Sequence, residues 1–212
     1  MIDHWIYDII YTSLRCLLGL GFGAITAIVI AAVFQIVPSK ARMIFELLID
    51  YIRSIPILAI VPLVAWFCGP SEIGKFIIIA LATGCIITKH MIDIIGEPHI
   101  DLELTLKSMG ISNGRRWVIY FWPRLRYSVV SGIRVALGVA WISVVAAEMT
   151  GIFRSGLWSG GLGYRLTIFY ENSDWKGMMT IILLFGILGV LSAKIMDLFL
   201  GIDPSKTRNS KS

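Results

Sequence analysis

From Cys16 to Pro38 the chain carries no charged side chain, and comparably apolar stretches recur along the rest of its length. About 20 such residues are enough for a helix to cross the hydrocarbon core of a bilayer, where each backbone polar group must be satisfied internally. The composition agrees: 57% of the 212 residues are hydrophobic and the mean hydropathy is +0.79, well above the usage of a water-soluble domain. The expectation is an all-α integral membrane protein.

The net charge is +5, but the basic residues flank apolar runs instead of forming a patch interleaved with base-stacking aromatics, so nucleic acid is not the expected partner. Cys16, Cys68 and Cys85 form no CxxC pair and lie in or at the ends of apolar runs, where a thiol behaves as a small hydrophobe; no disulfide framework or metal site is expected. The first residues, MIDHWIYD, hold two aspartates and no basic n-region, unlike a cleaved signal peptide.

Five spans are predicted, over residues 14–37, 46–69, 75–95, 125–149 and 177–200, within a single transmembrane domain covering 1–212. The second contains Pro56 and Pro62, which predicts an irregular or kinked helix. Lys40 and Arg42 follow the first span, Lys107, Arg115, Arg116, Arg124 and Arg126 precede the fourth, and Lys206, Arg208 and Lys211 follow the fifth. The positive-inside rule makes those segments cytoplasmic, leaving the N-terminus outside and the C-terminus inside. Gly19, Gly23, Ala27 and Ala31, and again Gly132, Ala136 and Ala140, recur every four residues and predict close helix packing.

The segment 98–123 is polar for such a chain. After Pro98, residues 100–109 suit a short helix with Leu102, Leu106 and Met109 on one face; Gly110 suits its left-handed C-terminal cap, and Ser112-Asn113-Gly114 a turn. Arg115 and Arg116 suit anionic lipid headgroups, Trp117, Tyr120, Phe121 and Trp122 the interface, and Pro123 the start of the next helix. An interfacial loop accounts for the aromatics and arginines, whereas a capped helix with its own apolar stripe suits docking on another protein.

A helix, a glycine and a proline 13 positions later resemble the cytoplasmic E-A-A-x3-G-x9-I-x-L-P loop of type I ABC importer permeases. Gly110 and Pro123 match; the E-A-A positions hold Leu104, Thr105 and Leu106, with Glu103 adjacent. The runs RSIPILAIVPLVAWFCGPSEIGK (Arg53 to Lys75), SGIRVALGVAWISVVAAEMTG (Ser131 to Gly151) and GGLGY (Gly160 to Tyr164) resemble the nitrate/sulfonate/taurine (NitT/TauT) permeases, and the five spans resemble methionine-type permeases. The resemblance covers Thr12 to Leu200.

It implies a transmembrane permease subunit in a bacterial inner membrane, paired with a second permease subunit as a homodimer. It also implies an extracytoplasmic binding protein and ABC ATPase subunits that take up Glu103, Leu104, Thr105, Leu106, Met109, Gly110 and Pro123 in a groove. ATP and magnesium belong to the ATPase, since no G-x4-G-K-[ST] sequence occurs here; no cofactor is expected in this chain. The implied solute is a small anion such as nitrate, a sulfonate or bicarbonate, with a vitamin precursor or an amino acid as the alternative.

Arg134, Trp141, Ser143 and Glu148 on the fourth span are the candidate pathway or gate residues. Arg134 either faces an anion or forms a gate, or else snorkels or makes a structural ion pair, because charge at that depth needs protein, water or a partner. Glu148 lies about 21 Å from it along a helix and cannot pair with it; its readings are solute contact, outer gate or anchor for the outer loop. That loop, 150–176, is read as a binding-protein dock, a partly re-entrant segment or an inert cap. Two other classes stand beside the permease. One is an integral-membrane enzyme using His90 and Asp93, with His99, Asp101 and Glu103 nearby, although no HExxH pattern occurs. The other is a passive channel, which needs no docking helix.

Overall fold

A computed structural model describes residues 2–96, 105, 108–110, 115, 119, 122–150 and 160–199. Among the described residues the chain is all-helical: α1 (Ile2–Ile36), α2 (Ser39–Ser54), α3 (Ile57–Cys68), α4 (Glu72–Gly96), α5 (Trp122–Met149), α6 (Leu162–Glu171) and α7 (Trp175–Phe199). Within α1, α4, α5 and α7, the segments Trp5–Phe34, Glu72–Asp93, Leu125–Met149 and Trp175–Phe199 are long and apolar enough to cross a membrane.

Segment 39–68 is the irregular element that its prolines predict. Pro56 pushes the preceding residue out of the helical region; Ile55 accordingly sits at φ −75°, ψ 126° and ends α2. The second half, α3, starts after Pro56, carries Pro62 inside, and stops at Gly69, whose φ of 69° is left-handed. The two halves meet at 97°. At 1.5 Å per residue α3 is about 18 Å long, too short to cross alone.

Helix direction decides how often the chain crosses. Gly19 lies against Ile79 and Gly23 against Thr83 and Gly84, so α1 and α4 run parallel. Ser128 bonds the His90 carbonyl and Gly132 lies against Ile87, so α5 runs antiparallel to both. Between two parallel spans the chain must return once, and α2 with α3 makes that return as one broken span. Arg134 meets Asp197 and Trp141 meets Ser192, which sets α7 antiparallel to α5. Among the described residues the result is five crossings, the bent pair counted as one.

The core is a seam of small residues. Ala27, Ala31, Ala136 and Ala140 are fully buried, together with Cys16, Ile79, Ile87, Met91 and Val144. Lipid tails are as apolar as leucine, so helices associate through close packing instead of hydrophobic exclusion. A smaller cluster of Val61, Val64, Ile78 and Ala147 fastens α3 to α4 and α5; Phe34, Ile49 and Ile92 fasten α2. Large apolar side chains such as Phe22, Ile25, Leu183 and Ile187 point outward, as lipid contact requires.

Two sequence expectations shift. The first helix begins at Ile2 instead of near residue 14, so Arg15 stands well inside the helix instead of at its start; burial among partners is what makes a charge tolerable there. Segment 150–176 contains α6 and the start of α7.

A Cβ on Gly23 would stand 2.1 Å from Thr83 Oγ1 and 3.0 Å from backbone atoms of α4, whereas one on Gly21 meets nothing. Gly23→Leu is therefore expected to destabilise the purified protein by about 1–3 kcal/mol through overpacking, and Gly21→Leu to leave the thermal transition in detergent within error of wild type. Equal transitions for the two variants would refute the α1–α4 register.

Candidate functional site

The most organised polar constellation is at the end of the bundle where α1 and α4 begin and α5 ends. Glu148, near the end of α5, has a fully buried side chain. Its carboxylate accepts from Arg15 Nη1 at 2.8 Å, from Thr12 Oγ1 at 3.0 Å, and from the Gly163 N–H at 2.9 Å. Arg15, 2% exposed, also grips Glu72 with Nε and Nη2, both at 2.8 Å, and donates to the Gly160 carbonyl at 2.7 Å. Lys75, equally buried, donates to Glu72 at 2.8 Å. Two cations and two carboxylates thus balance, as buried charge in an apolar setting requires.

The cluster also explains GGLGY. Leu162 N–H donates to Thr12 Oγ1 at 2.9 Å and Gly163 N–H to Glu148, so the first amides of α6, orphaned at a helix start, are capped by side chains of α1 and α5. Gly161 takes φ 150°, and a Cβ there would lie within 2.5 Å of the Glu148 carboxylate; only glycine lets the backbone pass this close. On the neighbouring turn Arg165 donates to Asp8, by Nε at 2.6 Å and also by Nη2. Arg165 also lies 4.5 Å from the Trp5 ring centroid. Trp5 in turn stacks on Phe169.

The structure separates the four pathway candidates. Arg134 donates to Asp197 of α7 at 2.8 Å, the ion-pair arrangement. Trp141 donates to Ser192 at 3.0 Å and packs edge-on against Phe185. Ser143 is buried and bonds its own helix at Val139. Glu148 alone enters the cluster, two turns beyond Trp141 on nearly the same face of α5. Arg15, Glu72, Lys75 and Thr12 were not singled out from the sequence; the signal available was the charge bordering two apolar runs, with Glu72 and Lys75 one helical turn apart.

On the docking segment, Glu103, Leu104 and Leu106 lie outside the described residues. Thr105 is exposed and its carbonyl accepts the Met109 N–H at 3.0 Å. Met109 is exposed, Gly110 has φ 70°, and Pro123 is the second residue of α5. Of the residues proposed for metal or acid–base chemistry, Asp93 pairs with Lys89 and the His90 carbonyl accepts from Ser128, while His99, Asp101 and Glu103 lie outside the described residues. Among the described residues no three His, Cys, Asp or Glu side chains gather as a metal site.

Parallel and antiparallel helices joined by a small-residue seam, one broken span, and a charge-balanced cluster inside the bundle define a polytopic helical membrane protein with an internal polar anchor. The chain belongs to the family of binding-protein-dependent transport system inner membrane components, whose family model matches residues 19–202. It is 33% identical, over 69% of its length, to a protein of Methanocaldococcus jannaschii named as an ABC transporter permease. Over 93% of its length it is 25% identical to a Bacillus subtilis protein, SsuC, named as an aliphatic sulfonates transport permease. The alignments cover 53% and 68% of those relatives, so the chain spans about half to two thirds of the length of the relatives it matches. A chain of the MetNI methionine ABC transporter, solved in inward-facing conformations, shares the fold with a TM-score of 0.70 at 16% identity, covering 92% of this chain and 94% of that one.

Removing one partner of a buried pair strands the other, so Arg15→Met is expected to cost about 3–5 kcal/mol. Glu148→Gln turns an acceptor into a donor facing three donor groups and destabilises in the same direction. In thermal unfolding of the purified protein the double variant Arg15→Met/Glu148→Gln should lose clearly less than the sum of the singles; strict additivity would exclude a direct pair. Gly161→Ala is expected to lower the transition as well, through both its φ and the carboxylate beneath it.

Proposed function

We propose that this chain is the transmembrane permease subunit of an ATP-driven importer. In this reading it carries its solute by alternating access, works as a homodimer, and receives the solute from an extracytoplasmic binding protein. The reading rests first on family membership across residues 19–202. It is supported by the turn at Thr105–Gly110, which falls between α4 and α5, at the end of the bundle opposite the Glu148 cluster. There the exposed Met109 and the left-handed Gly110 offer a compact knob for the groove of a separate ATPase chain. Glu103, Leu104, Leu106 and Pro123 belong to the same docking segment by their place in the sequence, and in this reading ATP and magnesium are held by the ATPase. The chain itself is not an enzyme.

The topology that suits this reading puts the segment 98–123 and the C-terminus in the cytoplasm, following the basic residues, and the N-terminus, α6 and the Glu148 cluster outside. The cluster then closes the outer end of each subunit, and Glu148 serves as an anchor of the outer loop and a candidate part of the outer gate. The solute proposed is a small anion, an aliphatic sulfonate being the class named for one relative.

The test is affinity purification of the tagged chain in mild detergent, with its companions identified by mass spectrometry. An ATPase carrying a Walker sequence should co-purify. Gly110→Val, which forces a β-branched residue into positive φ, should reduce solute-stimulated ATP turnover at least several-fold while the chain stays in the membrane. Normal turnover in that variant would exclude Gly110 from coupling, and absence of any ATPase across several mild detergents would overturn the importer reading.

A further inference from the structure

The elbow between α2 and α3 opens a cavity of about 300 Å³, walled by Ile57 and Ile60 of α3, Leu81 and Ile86 of α4 and Val139 of α5. Leu81 and Ile86 flank the middle of the Glu72–Asp93 span, and Val139 lies close to the middle of Leu125–Met149. The cavity therefore sits at mid-depth in the bilayer. One charged residue lines it: Arg53, in the last turn of α2.

A guanidinium at that depth is costly unless it faces water, protein or a ligand. Arg15, Lys75, Lys89 and Arg134 each hold a carboxylate. Arg53 is exposed and, among the described residues, has no ion-pair partner. Asp50, one turn earlier, is engaged by Lys89, and the Ser54 hydroxyl donates to the Asp50 carbonyl. The lining thus offers one flat fork of donors, the Ser54 hydroxyl held by its own helix, no carboxylate, and otherwise apolar walls.

We propose that Arg53 is the anion-recognition point of the transport path, holding the oxyanion group of the solute in the elbow cavity while its short apolar part lies against the walls. The proposal rests on the permease reading and specifies its solute chemistry. A guanidinium matches two oxygens of a sulfonate or carboxylate at once, and a cavity of this size admits a small solute and not a bulky one. The same charge repels cations, so one residue supplies selectivity by sign. A broken span is also where a transporter forms a site at mid-depth without exposing unsatisfied backbone to lipid.

Cys85 also lines the cavity and serves as a native reporter. In full-length protein carrying Cys16→Ala and Cys68→Ala, reconstituted in phosphatidylcholine nanodiscs, a sulfonate-bearing methanethiosulfonate should label Cys85 faster than a trimethylammonium reagent of similar size. Arg53→Gln should reduce that anion-over-cation ratio by about tenfold, and Arg53→Lys should retain most of it. Ethanesulfonate should slow labelling in the Arg53 protein and not in Arg53→Gln.

An unchanged ratio in Arg53→Gln, no protection by ethanesulfonate, or no labelling of Cys85 at all would each overturn the proposal. Protection by phosphatidylglycerol in the disc, with none by ethanesulfonate, would assign Arg53 to a lipid headgroup and overturn it equally. These outcomes do not touch the importer reading, which is decided by ATPase co-purification and coupled turnover.

Discussion

The carboxylate of Glu148 is the point on which the bundle's one end depends. It sits beyond reach of solvent and takes donors from α1 and α6, with α4 joined through Arg15 and Glu72. Within a bilayer an apolar side chain has little to gain by leaving lipid for protein, so a buried polar partner is what gives an apolar helix a fixed neighbour and depth. The Gly160–Gly163 turn exists in its observed form because this carboxylate caps α6, and Gly161 has no side chain because the carboxylate occupies that space.

Below the cluster the joint between α1, α4 and α5 changes character. Glycine and alanine at every fourth position let the backbones approach, Gly23 and Gly84 within reach of Thr83 and Thr26, and van der Waals contact replaces charge. The Glu148 end is therefore tied by ions and the middle by shape. The broken span stands apart from both: α3 is packed on α4 and α5 through Val61, Val64 and Ile78, while the elbow beside it leaves a cavity. A chain built this way has a close-packed frame beside an interrupted, roomier element. That division suits a protein in which one part must hold while another changes exposure.

Much of this was legible from residues alone. Uncharged runs, the prolines at 56 and 62, the four-residue spacing of small side chains and the glycine at 110 each dictate a local outcome, because bilayer thickness, ring closure and positive φ act within one or two turns. The charged residues were harder to read. Arg134 looked exceptional inside its span, yet its partner Asp197 lies on α7. Arg15 drew no notice at the start of the first predicted span, yet it lies well inside the helix and its carboxylates come from α4 and α5. A partner 57 or 133 positions away leaves no periodic trace in a single sequence.

By itself, then, the sequence determined that the chain is helical, that it enters a membrane, where its small-residue faces lie and where the second span must break, since those follow from local sterics and from the cost of exposing backbone to lipid. Only the tertiary structure decided which helices run parallel, which charges neutralise one another, why Gly161 must be glycine, and that Arg53 at the elbow holds no carboxylate among the described residues. Ion pairing and cavities are properties of distances between elements, and those distances come into being when the helices pack.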